Sequence, residues 1–364
     1  MQNELTFHSC LIGGKYAADF SLPDFIRNAD GSFSRGKTLE FIRREEYGVI
    51  DEKTVTTTFE NVTDDYNDRV NGYSVCGKAT HKTIKITMEK DGKSSSFEFD
   101  VFIPVNVENP FFAVQIDFAE KLPAKYCPIE ELLDSGLGVV HIYYNGVTKD
   151  NADTESGAAA LFHDENDPYS PGKIEIWAYA MRLAAKYLVD NGIAEKEKLY
   201  AAGHSRLGKA ALLACAEDEI FAGCFVNNSG CCGVSVSRGK GGETIYDITN
   251  VVGYWFNDNF KKYAGKEFVM PFDQHFLIAA CAPRKVFVGA ADLDTWSDTE
   301  AQYFACEAGS AAYEELGLTG LARRNEPLPY GDKNDTGEIK FFIRKGPHYF
   351  SREDWKFYID CLNK

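Results

Sequence analysis

The sequence predicts an α/β fold: a mostly parallel central sheet covered by helices on both faces. Three observations predict it. Short, nearly continuous apolar runs such as "LGVVHIYYN" (137–145) and "RKVFVGAAD" (284–292) read as strands buried on both sides. Between them lie longer segments whose apolar residues recur at spacings of three and four, the alternation of βαβ units. The chain of 364 residues is 44% hydrophobic and 26% charged, with no repeat and no low-complexity linker. That is an ordinary globular composition, in a chain long enough to bury a large core. The expected organisation is a single domain over 1–364, with residues 1–80 as an N-terminal elaboration and 228–271 as an insertion near the site.

The elements follow in order. The first 80 residues are polar, and "TLEFIRREEYGVI" (38–50) reads as a short helix running into an extended piece. "TIKITME" and "SSFEFDVFIPV" alternate about a "KDGKS" turn, so they read as a hairpin that opens the sheet. "FFAVQIDF" (111–118) is a strand, "IEELLDSG" (129–136) a helix with a terminal Gly, and 137–145 a buried strand. In 172–192, Ile174, Trp177, Met181, Ala184 and Leu188 form one apolar face and Gly192 ends the helix. "EKLYAAGH" is a strand leading into the helix "SRLGKAALLACAEDE". "FAGCFVNNSG" is a strand, "DQHFLIAACA" a helix, 284–292 a strand and 298–317 a helix. "EIKFFIRKG" and "SREDWKFYIDCL" are the last strand and helix.

The net charge of −16 excludes a nucleic-acid surface, which needs clustered Lys and Arg, and an anionic membrane surface. No apolar run reaches the roughly 20 residues of a membrane span. "MQNELTFHSCLIGG" has no charged stretch followed by an apolar one. The expected location is cytoplasmic for the chain as written, and secreted if it has been trimmed. The ten cysteines show no C-x-x-C spacing, and adjacent Cys231 and Cys232 are poorly placed for zinc. Buried free thiols are expected.

Ligands of such sheets bind beyond the carboxyl ends of the strands. Ser205 follows one predicted strand, Asp292 and Asp294 another, and His348, in "GPHYFS", the last. The chain order Ser, Asp, His at those loops is that of the α/β-hydrolase fold. A serine hydroxyl needs an imidazole to take its proton, and the imidazole needs a carboxylate to fix its tautomer. Alone, Gly203-His204-Ser205-Arg206-Leu207-Gly208 also fits a serine capping a helix, since Gly recurs three residues after Ser rather than two. The acid and the histidine at later strand ends favour the nucleophile. Of the seven histidines, His141 lies inside a strand, His275 on a helix face with a local bond expected, and His204 beside the nucleophile, pointing away from it. His8, His81 and His163 lack supporting context. Asp294 is favoured over Asp292 because it shares "DLDTW" with Trp296, while Asp298 reads as a helix cap.

These residues resemble the glucuronoyl esterases, carbohydrate esterase family 15. "GHSRLGK" is similar to the family's G-C-S-R-x-G-K nucleophile motif, and "GKIEIWAYAMR", "GGETIYDITNVVGYWF", "MPFDQHFLIAACAPRKVFV", "DLDTWSDTEAQYFACEAGSAAYEELG" and "GPHYFSREDWKFYIDCL" resemble its other segments. The likeness covers 170–364 well and the first half faintly, through "RREEYG". It implies a three-layer α/β/α sandwich that cleaves esters between glucuronic acid on xylan and lignin alcohols. Ser205 would be nucleophile, His348 base and Arg206 an oxyanion contact. Lys209, Trp296 and Glu243 would touch the sugar, and Trp255 fits core or substrate platform equally. Two departures stand out. Many members carry a catalytic Glu where Asn228 stands in "NNSGCCG", and others use an Asp after a later strand, which Asp294 matches. The Cys before the nucleophile is His204 here. The expectation is a Ser205–His348–Asp294 esterase acting on glucuronoxylan with no metal or organic cofactor. The alternatives are an acetyl xylan or other carbohydrate acyl esterase, a peptidase, against which the lack of propeller-like repeats or a large gating domain speaks, and a carbohydrate-binding protein with a decayed site.

Overall fold

The computed structural model describes residues 4–8, 19–65, 69–70, 73–75, 77–238, 241–324 and 328–363. A ten-stranded sheet carries the fold. Its strands are β1 (Thr56–Asp65), β2 (Ala79–Lys90), β3 (Lys93–Pro104), β4 (Phe112–Asp117), β5 (Gly138–Tyr143), β6 (Leu199–His204), β7 (Gly223–Asn227), β8 (Lys285–Ala291), β9 (Lys333–Asn334) and β10 (Ile339–Arg344). They lie side by side as β9-β10-β8-β7-β6-β4-β5-β3-β2-β1. The run from β10 to β5 is parallel, and the flanking pairs are antiparallel. Because β4 lies between β5 and β6, the chain reverses its direction of travel across the sheet there, where such folds open a crevice.

Among the described α-helices, those longer than four residues are α1 (Arg35–Ile42), α2 (Ile129–Asp134), α3 (Lys173–Asp190), α4 (Arg206–Glu217), α5 (Ile245–Val252), α6 (His275–Cys281), α7 (Thr299–Glu315) and α8 (Arg352–Leu362). Residues alternate between the faces of each strand, so two cores form. Val226, Val288 and Ala201 join α3, α4, α6 and α7 on one face. Tyr200, Phe225 and Phe287 join α2 and α8 on the other. There the Tyr200 and Phe225 rings stack at 4.9 Å, and Tyr358 of α8 stacks on Phe225 at 4.9 Å. These two layers of helix around the sheet make the three-layer α/β-hydrolase architecture.

Two strands of this sheet, β1 and the two-residue β9, were not expected from the sequence. In β1 only alternate residues such as Thr57 and Phe59 are half-buried, while Thr56, Thr58 and Glu60 face water. An edge strand with so little apolar surface carries a faint signal. Residues 19–47 pack on the core and brace the 228–271 segment. Helix α1 packs against α6. The Tyr47 hydroxyl donates to the Cys232 carbonyl at 2.9 Å, and Tyr263 donates its hydroxyl to Glu45 at 2.7 Å. The eight described cysteines are buried and form no disulfide with one another. Cys10, Cys76 and the His8 side chain lie outside the described residues. Among the described residues no helix is long and apolar enough to cross a membrane.

Candidate active site

Strand β6 delivers Ser205 to the crevice, and α4 begins at the next residue. Ser205 has φ 58° and ψ −128°, a backbone that L-residues adopt only under strain. Its side chain makes no cap hydrogen bond, so it is not the helix cap that the sequence also allowed. Its N–H donates to the Asn227 carbonyl of β7 at 2.9 Å, which fixes the turn. A Cβ on Gly203 would lie 2.1 Å from the Leu207 carbonyl oxygen, so only glycine lets α4 fold back this closely.

Asp294 and His348 meet beside this turn. His348 Nδ1 is 2.6 Å from Asp294 Oδ2, and Asp294 is buried while His348 is 40% exposed at its side chain. Ser297 Oγ sits 3.3 Å from the same nitrogen. Burial alone pushes the Asp294 carboxyl up, but the hydrogen bond and charge of His348, helped by Ser297, hold it below its ordinary value. Asp292 does a different job. Its carboxylate accepts from the Gly346 N–H at 2.6 Å, at the start of the histidine loop. The rest of that loop is clamped by Arg344, whose Nη2 donates to the carbonyls of Pro347 at 2.8 Å and Tyr349 at 2.6 Å. Asn228 adds a third hold through Nδ2 to Tyr349 O at 3.2 Å. Asp298 caps α7 by accepting from Ala301 N–H at 3.0 Å.

Arg206, first residue of α4, is held by an ion pair with Asp150. Asp150 also accepts from the Trp255 indole at 2.7 Å and the Tyr254 hydroxyl at 3.3 Å. The Arg206 guanidinium lies 4.7 Å from the centre of the Trp255 ring, so Trp255 is buried and forms a wall of the site at once. Arg206 Nε is buried with no protein partner. Lys209, one turn on, is buried with its Nζ on the Ser229 carbonyl. Glu243 and Trp296 adjoin, because the Glu243 N–H donates to the Trp296 carbonyl at 2.9 Å. Trp296 itself is 58% exposed.

The other histidines resolve by contact. His204 does leave the nucleophile's side of the strand, yet its ring lies against that of His348 with centroids 4.5 Å apart. Its Nδ1 meets Asn227 Oδ1 at 2.7 Å, and burial, with the nearby charge of His348, lowers its pKa to about 3, so it stays neutral. His275 bonds the Pro23 carbonyl at 2.8 Å, a distant rather than a local partner, because residues 19–42 fold over α6. His141 is buried 3.8 Å from Asp117, its Nε2 without a hydrogen bond. His81 pairs with Asp100 at 2.8 Å. Sequence reasoning passed over Asp150, Arg344 and Ser297. Their roles depend on partners far along the chain, and no spacing announces them.

A family model described as "Glucuronyl esterase, fungi" matches residues 86–317. The chain belongs to the glucuronoyl esterase family. Carbohydrate esterase MZ0003, from an unknown prokaryotic organism, is 35% identical over 236 residues, 64% of this chain and 54% of that protein. The 4-O-methyl-glucuronoyl methylesterase of Hypocrea jecorina is 26% identical over 247 residues, 65% of this chain and 51% of that protein. The matched part thus spans about half the length of these curated relatives. Among solved structures, a promiscuous esterase of carbohydrate esterase family 15 from the marine bacterial metagenome superposes with a TM-score of 0.80 at 25% identity, covering 94% of this chain and 97% of that one. In this member of the family, the Asn227–Asn228 pair is then informative. Asn228 Nδ2 donates to Asn227 Oδ1 at 3.0 Å as well as to the histidine loop, so this position ties backbone rather than orienting the imidazole.

Proposed function

We propose that the chain is a serine carboxylic-ester hydrolase that cleaves 4-O-methyl-glucuronate esters joining xylan to lignin alcohols. Family membership and one observation support this: a buried carboxylate 2.6 Å from a half-exposed imidazole, beside a strained serine at a strand end. Ser205 Oγ attacks the ester carbonyl while His348 Nε2 takes its proton. Asp294 holds the other ring nitrogen and stabilises the imidazolium. The tetrahedral oxyanion is held by the Arg206 backbone N–H, one of the orphan donors of a helix start, and by Arg206 Nε. His348 then returns the proton to the leaving alcohol. Water, deprotonated by the same imidazole, attacks the acyl-enzyme and frees the glucuronate. Lys209, Glu243 and Trp296 contact the sugar. Every step moves a proton between oxygen and His348 and requires no oxidant.

The test compares a benzyl glucuronate ester, an acetylated xylan and an aryl acetate as substrates for the native chain and Ser205→Ala. Glucuronate release that the variant loses is the expected result. Acetate release with an inert glucuronate ester overturns the substrate assignment, and no turnover on any of the three overturns the esterase reading.

A further inference from the structure

The amino ends of the parallel strands hold a second cluster of chemically active side chains, remote from Ser205. Cys215 of α4, Cys224 of β7 and Cys281 of α6 are fully buried. Their sulfur atoms all lie within 4.8 Å of one another. Three thiolates around one metal at about 2.3 Å stand about 4 Å apart, so the nest needs only a small contraction to close on an ion. We propose that Cys215, Cys224 and Cys281 form a site for one Cu(I) ion.

Softness, charge and access support this choice. Thiolate sulfur selects soft ions, and three sulfurs suit trigonal Cu(I), whereas structural zinc takes four ligands. Binding is Cu⁺ plus three thiols giving a copper tris-thiolate and three protons, with no change of oxidation state. The complex carries two negative charges, and two guanidiniums flank it. Arg284 donates from Nε to the Cys281 carbonyl at 3.0 Å and from Nη1 to the Cys215 carbonyl. Arg35 donates to Ala280 O at 2.8 Å and Ala216 O at 2.8 Å, the neighbours of those two cysteines. Glu219, largely exposed, meets Arg35 from the solvent side at 3.1 Å and dilutes its charge only in part. The sulfur atoms have little to give up: Cys224 points its thiol to Lys285 O at 4.0 Å and Cys281 to Leu212 O at 3.9 Å, both long contacts. Entry is from a surface cavity of about 440 Å³ lined by Tyr200, Ala222, Pro283, Arg284 and Lys285. Arg284 and Lys285 belong to both the cavity and the nest, so a swing of the Arg284 side chain connects them.

The site is independent of the ester chemistry, so its failure leaves that reading intact. The experiment offers anaerobic, thiol-reduced protein one equivalent of Cu(I) as its bicinchoninate complex and follows loss of the chelator's colour. The expected result is uptake of one ion, with affinity lowered by roughly a hundredfold or more in Cys215→Ala, Cys224→Ala and Cys281→Ala, since even loss of an outer-shell partner costs 10–100-fold. Ester turnover stays unchanged. Cys231→Ser is the control, because Cys231 and Cys232 place another two buried sulfurs 3.7 Å apart. No uptake by the native chain overturns the site, as does uptake that only Cys231→Ser abolishes. Should an alanine variant fail to fold, X-ray absorption at the copper edge of the loaded native chain decides: three sulfur neighbours uphold the site, and two sulfurs or nitrogen neighbours sink it.

Discussion

The parallel strands end differently at their two edges. At the carboxyl edge, Ser205 and Asn228 hold φ values of 58° and 44°, in the region that favours glycine. Buried polar atoms there lack protein partners: Arg206 Nε, His204 Nε2 and Asn228 Oδ1. At the amino edge, Arg35 and Arg284 spend their donors on the last carbonyls of α4 and α6, where orphan acceptors need them. One edge stores strain beside the nucleophile, and the other spends its guanidinium donors on helix-end carbonyls. The two stacked cores between them carry the stability that lets the carboxyl edge remain strained.

Substitution of Ser205 separates the two edges most sharply. Ser205→Ala lowers kcat by about 10⁴–10⁶-fold with the melting temperature nearly unchanged. Ser205→Gly is equally inactive but more stable by about 1 kcal/mol, because glycine relieves the backbone strain. Calorimetry of the two variants side by side reads that difference. A Ser205→Gly chain that melts below Ser205→Ala would remove strain from the account of the nucleophile.

The two aspartates after β8 give the next largest contrast. Asp294→Asn lowers kcat by about 10³–10⁴-fold, because an amide in place of the carboxylate leaves His348 in the wrong tautomer. Asp292→Asn costs less than about tenfold and acts through the Gly346 N–H, so its signature is a lower melting temperature. Both follow from kinetics on the benzyl ester. The reverse ranking would hand the acid role to Asp292. Asp294, held below its ordinary value by His348 and Ser297, is ionised at neutral pH.

How much of this was legible beforehand follows the same division. The strands of the parallel half are continuous apolar runs, and the helices between them have clear periodicity. Their order therefore places Ser205, Asp294 and His348 at strand ends from the sequence alone. What the sequence left hidden depends on convergence. Asp150 lies 56 positions from Arg206 and Arg43 132 from Glu175, and nothing local marks either pair. Cys215, Cys224 and Cys281 come from three elements, so their spacing looks like no metal motif. His204 was set aside for its direction, yet the loop after β10 brings the His348 ring against it across β8 and β7. Strand β1 escaped because an edge strand needs only one sparse row of half-buried residues.

Asp150 offers a smaller effect. Asp150→Asn keeps the size of the side chain and removes the charge that fixes Arg206. It lowers kcat by about 10–10²-fold, less than the 10²–10³-fold loss of an oxyanion donor itself. KM changes little, because the guanidinium acts on charge that develops after binding. An unchanged kcat with a raised KM would instead put Arg206 on the bound sugar.

The smallest effect concerns stability, and it comes from behind the carboxyl edge. Glu46 is fully buried, with Oε2 2.7 Å from Gln274 Nε2. Burial pushes its carboxyl up to about 8 from the ordinary 4.5. Between those values the native state keeps a proton that the unfolded chain has lost, so stability falls as pH rises from 4.5 toward 8. His204 acts in the opposite sense. Its native pKa of about 3 lies below the ordinary 6.5, so the unfolded chain takes up the proton first and stability falls as pH drops through that window. The two terms offset each other between 4.5 and 6.5, and stability falls on either side, toward about 3 and toward about 8. Glu46→Gln removes only the alkaline side. Melting temperatures measured at intervals from pH 5 to about 9 then decline less steeply toward the alkaline end for the variant than for the native chain. Parallel curves would mean that Glu46 ionises without cost, and that the packing of Tyr47 and Gln274 around it is looser than the buried contacts imply.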